Sequence, residues 1–343
     1  NIIRTNEGVY NFDYIIDAFA SKKPNPNSKP MLVTINKVNL DIINVKLDDA
    51  LSKNDLKFYF NHLDTRFEKF DLEKMLFDIP EITLDGLNMK LKQGLLIEKM
   101  VATSKELTNP ELLHPLKLKQ GKIALSKIVF DYESAENQMT TAFDLKKLSL
   151  KVNEFDIQKE TLDLEEFNVN SLNSKLTFGK IKKSNSNGNT TNSPSTNWKV
   201  KLNKTDLKQI AFRYDDQNSA PIKKGMDYSH INLKDLNLKA QNLNYTSQKL
   251  ITGNIESLNG QEKSGLNIQA LKTEFYYTDK TVSLKKLYLK TPLTLLKNEI
   301  TIAYPSIEAI VKNNELLSID ASLNKSYIGL KDVLIFAPFL SDR

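Results

Sequence analysis

Seven times along the chain an eight-residue phrase recurs with apolar residues at its first, third, sixth and eighth positions. The copies are Val38-Leu40-Ile43-Val45, Ile82-Leu84-Leu87-Met89, Ile123-Leu125-Ile128-Phe130, Phe143-Leu145-Leu148-Leu150, Leu162-Leu164-Phe167-Val169, Ile231-Leu233-Leu236-Leu238 and Val282-Leu284-Leu287-Leu289. An eighth, Thr205-Leu207-Ile210-Phe212, has Thr in its first slot. On a helix these offsets would point at about 0°, 200°, 140° and 340°, so no helical face exists. Each half alternates instead with the strand period of two. The step of three between the halves would flip the second half to the other face unless a bulge or corner absorbs one residue. The pair filling that step is usually polar, as in Asp85-Gly86, Lys146-Lys147, Lys234-Asp235 and Lys285-Lys286. The pattern predicts kinked strands with one apolar side.

A longer period overlies the short one. Leu40-x-x-Ile43-x-Val45 returns as Leu125-x-x-Ile128-x-Phe130, 85 residues on, and as Leu207-x-x-Ile210-x-Phe212, a further 82 on. Phe70-Asp71-Leu72-x-Lys74 returns independently as Phe155-Asp156-Ile157-x-Lys159, also 85 residues on. Unrelated landmarks with one shift indicate a duplicated unit of several strands. These shifts put Leu40, Ile43, Val45, Leu125, Ile128, Phe130, Leu207, Ile210 and Phe212 at equivalent places in successive units, and they are the candidate lining of any apolar channel. The strand phrase runs from end to end without a composition break, which predicts a short helix and linker over 1–30 and one continuous β body over 31–343. Within it, the polar low-complexity stretch 182–197 reads as a mobile surface loop.

The first residue is Asn rather than Met, no signal peptide is evident, and the chain reads as an internal segment of something longer. No apolar run approaches the roughly 20 residues of a membrane span. With no cysteine, disulfides and thiolate chemistry are excluded while the redox compartment stays open. The net charge of +6 comes from 44 Lys and only four Arg, dispersed among Asn, Asp and Glu, so a solvated outer face is expected rather than a nucleic-acid surface.

No nucleophile elbow, zinc-protease motif, P-loop or dinucleotide fingerprint occurs, and no cofactor or metal is expected. His62, His114 and His230 are scattered and read as surface or edge histidines. The acidic pairs Asp48-Asp49, Glu165-Glu166 and Asp215-Asp216 read as strand-end turns or polar kinks. The chain is therefore not expected to be an enzyme. Short helices are expected over 11–20, 306–312 and 330–337, the last with Leu330, Val333, Leu334 and Ala337 on one side, plugging a sheet end or covering an edge.

Roughly 15 to 18 strands at about 4.8 Å spacing would make a sheet on the order of 70 to 85 Å wide. So few helices cannot cover it. The pattern leaves two answers, a sheet folded on itself as a sandwich or one curled into a long trough, and periodicity alone slightly favours packed core.

Several strings carry a family resemblance: Gly8-Val9-Tyr10-Asn11-Phe12-Asp13-Tyr14-Ile15-Ile16-Asp17-Ala18-Phe19, Phe70-Asp71-Leu72-x-Lys74-Met75-x-Phe77-Asp78-Ile79-Pro80, Glu262-Lys263-Ser264-Gly265-Leu266, Leu284-Lys285-Lys286-Leu287-Tyr288-Leu289-Lys290-Thr291-Pro292 and Tyr304-Pro305-Ser306-Ile307-Glu308-Ala309. Together, over nearly the whole chain, they resemble the translocation and assembly module (TamB) branch of the AsmA-like family of Gram-negative bacteria. The resemblance implies an elongated repeating β-groove, a curled antiparallel sheet forming an open trough with a few short helices. It further implies a periplasmic segment of a bridge-like protein that moves phospholipid between inner and outer membranes along the groove, with acyl chains as the bound partner. In that family the inner membrane is reached through an anchor, which this segment lacks, and the outer membrane through a BamA-type barrel protein. The alternative it implies is a scaffold for outer-membrane protein assembly, working through an exposed strand edge with the same barrel partner.

Overall fold

Strands with one apolar side and a kink in the middle can share a sheet only if their kinks line up, and the fold is built on that alignment. In a computed structural model, residues 1–19, 34–71, 76–94, 117–136, 138–157, 159–180, 197–246, 250–306 and 316–342 are described. They form a mainly β, elongated, groove-like fold with a 15-stranded sheet, a two-stranded hairpin and two short α-helices.

The strands are β1 (Ile2–Arg4), β2 (Lys37–Asp49), β3 (Asn54–Arg66), β4 (Lys69–Asp71), β5 (Leu76–Asp78), β6 (Glu81–Asp85), β7 (Asn88–Gln93), β8 (Lys117–Ser134), β9 (Met139–Asp156), β10 (Thr161–Phe178), β11 (Lys199–Asp216), β12 (His230–Tyr245), β13 (Ile251–Glu262), β14 (Asn267–Tyr277), β15 (Thr281–Lys290), β16 (Leu295–Ala303) and β17 (Ser318–Leu323). Helix α1 is Asp13–Phe19 and α2 is Leu330–Phe336, followed by a 3-10 turn Pro338–Asp342. Strands follow one another across the large sheet in chain order, with β6 and β7 sharing one place between β3 and β8, and β4–β5 standing apart as the hairpin.

The sheet is mixed rather than wholly antiparallel. Pairs β1–β2, β6/β7–β8 and β10–β11 are parallel and the others antiparallel. The 85-residue repeat explains two of these exceptions. One unit is three strand-places, β2–β3–β6/β7, then β8–β9–β10, then β11–β12–β13. Three is odd, so a further hairpin would start the next unit upside down. Equivalent residues keep their level only if the chain crosses back and pairs in parallel, as it does before β8 and before β11. Residues 95–116 and 181–196, on those crossings, lie outside the described residues, so the stretch 182–197 is described only at Asn197. After β13 the chain instead turns tightly at Gly265, φ 98°, into antiparallel β14, and the period stops there.

The step of three is absorbed as a bulge. Its second residue adopts a left-handed backbone at Ile42 (φ 53°), Gly86 (73°), Lys127 (53°), Gln209 (54°), Asp235 (51°) and Lys286 (51°). That single inverted residue returns the strand's second half to the same face as its first. The copies on β9 and β10 lack it at that point, but Ser171 of β10 takes φ 59° in line with Lys127 and Gln209, because Asn170 and Leu172 pair with Lys147 and Leu145 on one side and with Lys208 and Ile210 on the other. A crease thus runs across the sheet from β2 to β12. At β12 it steps sideways to Asn242 (φ 52°) and continues through Lys286 and Asn298.

Turns use the acidic pairs as local caps. Asp49 Oδ1 accepts the N–H groups of Leu51 and Ser52 at 3.0 and 3.1 Å, and Asp216 Oδ1 accepts that of Asn218 at 2.9 Å. The N-terminal segment is more than helix and linker, since β1 adds a strand beside β2. The helix expected over 306–312 falls largely outside the described residues. In α2 the inward side chains are Ile335, Val333 and Leu334, whereas Leu330 is exposed, contrary to the spacing argument.

Candidate functional site: an apolar trough

Cross-strand pairing assembles one unbroken row of side chains along the sheet. Leu40, Leu63, Leu84, Leu125, Leu148, Val169, Leu207, Leu238, Leu258, Leu271, Leu289 and Leu296 are successive direct partners on β2, β3, β6, β8, β9, β10, β11, β12, β13, β14, β15 and β16. Eleven steps of about 4.8 Å make this row on the order of 50 Å long. Flanking it across the crease, Ile43 pairs Phe60, Ile128 pairs Leu145, and Leu172 pairs both Leu145 and Ile210. A third row holds Val45, Phe58, Met89, Phe130, Phe143, Ser174 and Phe212, with the Phe130 and Phe143 rings 5.1 Å apart.

All nine residues expected to line a channel therefore lie on one face. Among the described residues only eleven hydrophobic side chains are buried, and Ile128, Leu145, Val169 and Ile210 form one cluster of them. Among the described elements, each strand of the large sheet packs mainly against its sheet neighbours, and no second layer lies over the apolar face. Among the described residues the sheet is therefore not folded on itself as a sandwich. A residue such as Ile128, 3% exposed, can be buried in a single layer only if the sheet curls over it, so the creased apolar face is the concave one. Ile128 and Ile210 form the floor, while Ile43, Val45, Leu125, Phe130, Leu207 and Phe212 are half-buried walls and Leu40 is exposed near the β1 edge.

The opposite face is a lattice of ion pairs between and along strands. Lys90 lies 3.5 Å from Asp131, Lys92 3.4 Å from Glu133, Lys201 3.7 Å from Asp163 and Lys208 3.1 Å from Asp206. Exposed pairs of this kind stabilise weakly, about 0 to 1 kcal/mol each. They do keep the convex side wet. A depression of about 320 Å³ between Lys90, Asp131, Glu133, Thr140 and Lys175 belongs to this polar side, not to the trough.

His230 departs from its expected surface position. It is buried where β11 meets β12, with Nδ1 3.1 Å from both carboxylate oxygens of Asp227 and Nε2 3.6 Å from Asp215. Asp227 also accepts the N–H groups of Ile222 and Ser229 at 3.1 and 3.2 Å, so the cluster folds the 217–229 loop. Burial acts to raise the Asp227 pKa, but the hydrogen bonds from His230 and from the Ile222 N–H, helped by Lys263, outweigh it and hold the carboxyl below its ordinary value. Glu262 is lowered likewise: burial is outweighed by the Ser264 side chain and by the N–H groups of Asn232, Ser264 and Lys263. His62, by contrast, is half-buried at the surface, 2.7 Å from Asp41, and His114 lies outside the described residues.

Four members of the long row, Leu63, Leu258, Leu271 and Leu296, sit on strands whose phrase is imperfect. Phe58-Phe60-Leu63-Thr65 and Leu266-Ile268-Leu271-Thr273 carry Thr in the last slot, and Gly253-Ile255-Leu258-Gly260 has Gly at both ends. The substitution already tolerated at Thr205 was the signal that could have found the first two. No described helix is long and apolar enough to cross a membrane. No protein-family model matches the chain, and no curated protein matches it.

Proposed function

We propose that the trough shelters the acyl chains of phospholipid, as a periplasmic segment of a bridge-like carrier of the AsmA-like type, reaching inner membrane and BamA-type barrel through other parts of such a protein. The observation that supports this reading best is the row from Leu40 to Leu296, which no described element covers, because an apolar face this long is normally buried under a second layer. Each sheltered methylene contributes about 0.8 kcal/mol, so one acyl chain recovers on the order of 10 kcal/mol without any covalent step. Headgroups would stay in water at the open side. A row of leucines repeating every strand offers no deep pocket, which favours sliding over trapping. The test is extraction of the chain purified without detergent, followed by mass spectrometry, together with photo-crosslinkers at Phe130 and Phe212 set against Lys147 and Lys175 on the polar face. Co-purified phospholipid with capture only at the phenylalanine positions is expected; equal capture at both sets would overturn the reading.

One observation favours the scaffold as a second reading. All six residues of β17 are exposed and its outer edge is unpaired among the described strands, which suits addition of a foreign strand. A lipid-free chain that captures strand-forming peptides would favour it.

A further inference from the structure

Along one rim of the sheet, α2 and the 3-10 turn after it form a strap over the loops that join β11 to β12 and β15 to β16. The strap is pinned. Met226 N–H donates to Ile335 O at 2.7 Å, and the Thr291 and Thr294 hydroxyls donate to Asp332 at 2.5 and 2.6 Å. Gly225, φ 83°, lets the loop press so close that an added Cβ would stand 2.9 Å from Pro338 and 3.0 Å from the Ile335 carbonyl.

Yet this fixed strap turns apolar side chains outward. Leu330 and Phe336 are 67% and 57% exposed, and on the adjoining loop Ile222 and Tyr228 are 53% and 68% exposed. A single exposed leucine is ordinary, whereas a pinned group of aliphatic and aromatic side chains marks an interaction surface. Lys223 and Lys331, next in sequence to Ile222 and Leu330, are exposed as well. Among the described side chains of the same rim, Asp332 is held by the two threonines, Asp227 by His230 and two N–H groups, Glu262 by the N–H groups of Asn232 and Ser264, and half-buried Asp216 by the Asn218 N–H. Among the described side chains of the strap and loop, the exposed chemistry is thus apolar and cationic together.

We propose that this strap and loop dock on the surface of an anionic lipid bilayer. Leu330, Phe336, Ile222 and Tyr228 enter the headgroup boundary while Lys223 and Lys331 meet lipid phosphates, the division of labour of an interfacial anchor. The rim is separate from the trough floor, so the proposal stands whether or not the trough carries acyl chains.

Flotation of the whole chain with phosphatidylcholine vesicles, with and without added phosphatidylglycerol, tests it. Binding to the anionic vesicles is expected, weakening as salt rises. The double variants Leu330→Ser/Phe336→Ser and Lys223→Glu/Lys331→Glu should each lose more than about tenfold in binding. All four positions are exposed, so unchanged circular dichroism is expected and guards against misfolding. Phe212→Asp, on the trough wall, should float as wild type even where it loses extracted lipid. The proposal is overturned if the chain floats with neither vesicle, if both double variants float as wild type, or if Phe212→Asp abolishes flotation while the strap variants do not.

Discussion

Lys127 on β8 and Gln209 on β11, 82 residues apart, hold the same left-handed backbone, φ 53° and 54°, and lie on one crease with Ser171 between them. An L-residue takes that conformation at a cost of about 1 to 2 kcal/mol. The cost recurs on strand after strand because each inverted residue keeps two apolar half-strands facing the same trough.

Ile42 is the one β-branched residue on the crease, and it is 74% exposed. Ile42→Asn therefore gives up little burial and removes the poorest fit to a left-handed backbone. A gain of about 1 kcal/mol is expected, read as a rise in Tm of about 2 to 4 °C. An unchanged or lower Tm would mean that Ile42 does not hold this conformation in solution.

A charge on the trough wall should stop lipid binding without unfolding the sheet. Phe212→Asp places a short carboxylate where each acyl chain would have to desolvate it, a penalty of several kcal/mol. Extractable lipid should disappear while the β-sheet circular dichroism persists. Lys147→Ser, on the wet face, should leave both unchanged. Ile210 is unsuitable for this experiment, since it belongs to the buried floor and a charge there would also loosen the fold.

Gly225→Ala should free the strap. It combines a left-handed glycine with a close approach to Ile335 and Pro338, so loss of the side-chain-free position costs about 1 to 2 kcal/mol before any clash. Hydrogen exchange should quicken in α2 and in residues 222–230, with the middle of β8 to β10 unaffected. Equal quickening throughout would show that the strap is not a separate unit.

The rim should also loosen in acid. Asp227 and Glu262 are both held below their ordinary values, so their contribution is complete above the unfolded carboxyl pKa of about 4 and is lost as pH falls through the lower folded values. Exchange protection of the 222–230 loop should be flat from neutral pH down to about 5 and drop below about 4. In Asp227→Asn that drop should shrink, and an identical profile would assign the acid sensitivity to other groups.

Strand periodicity, the 85-residue unit and the need for a bulge at most of the polar pairs were legible because all three are local or translational properties of the chain. Offsets of two and three decide which side chains share a face before any strand has a neighbour. The parallel joints follow from the odd number of strands in a unit, which the sequence contains but which becomes visible only once strands are counted. Burial of His230 between Asp215 and Asp227 was hidden, since it depends on a loop folding back over a strand end. Pairing alone decided that leucines from imperfect phrases, such as Leu258 and Leu296, join the others in one row. Whether the apolar face is packed or open was likewise beyond the sequence: alternation records which side chains avoid water locally, and only the creases, lined up across neighbouring strands, bend that face into a trough with no second sheet upon it among the described residues.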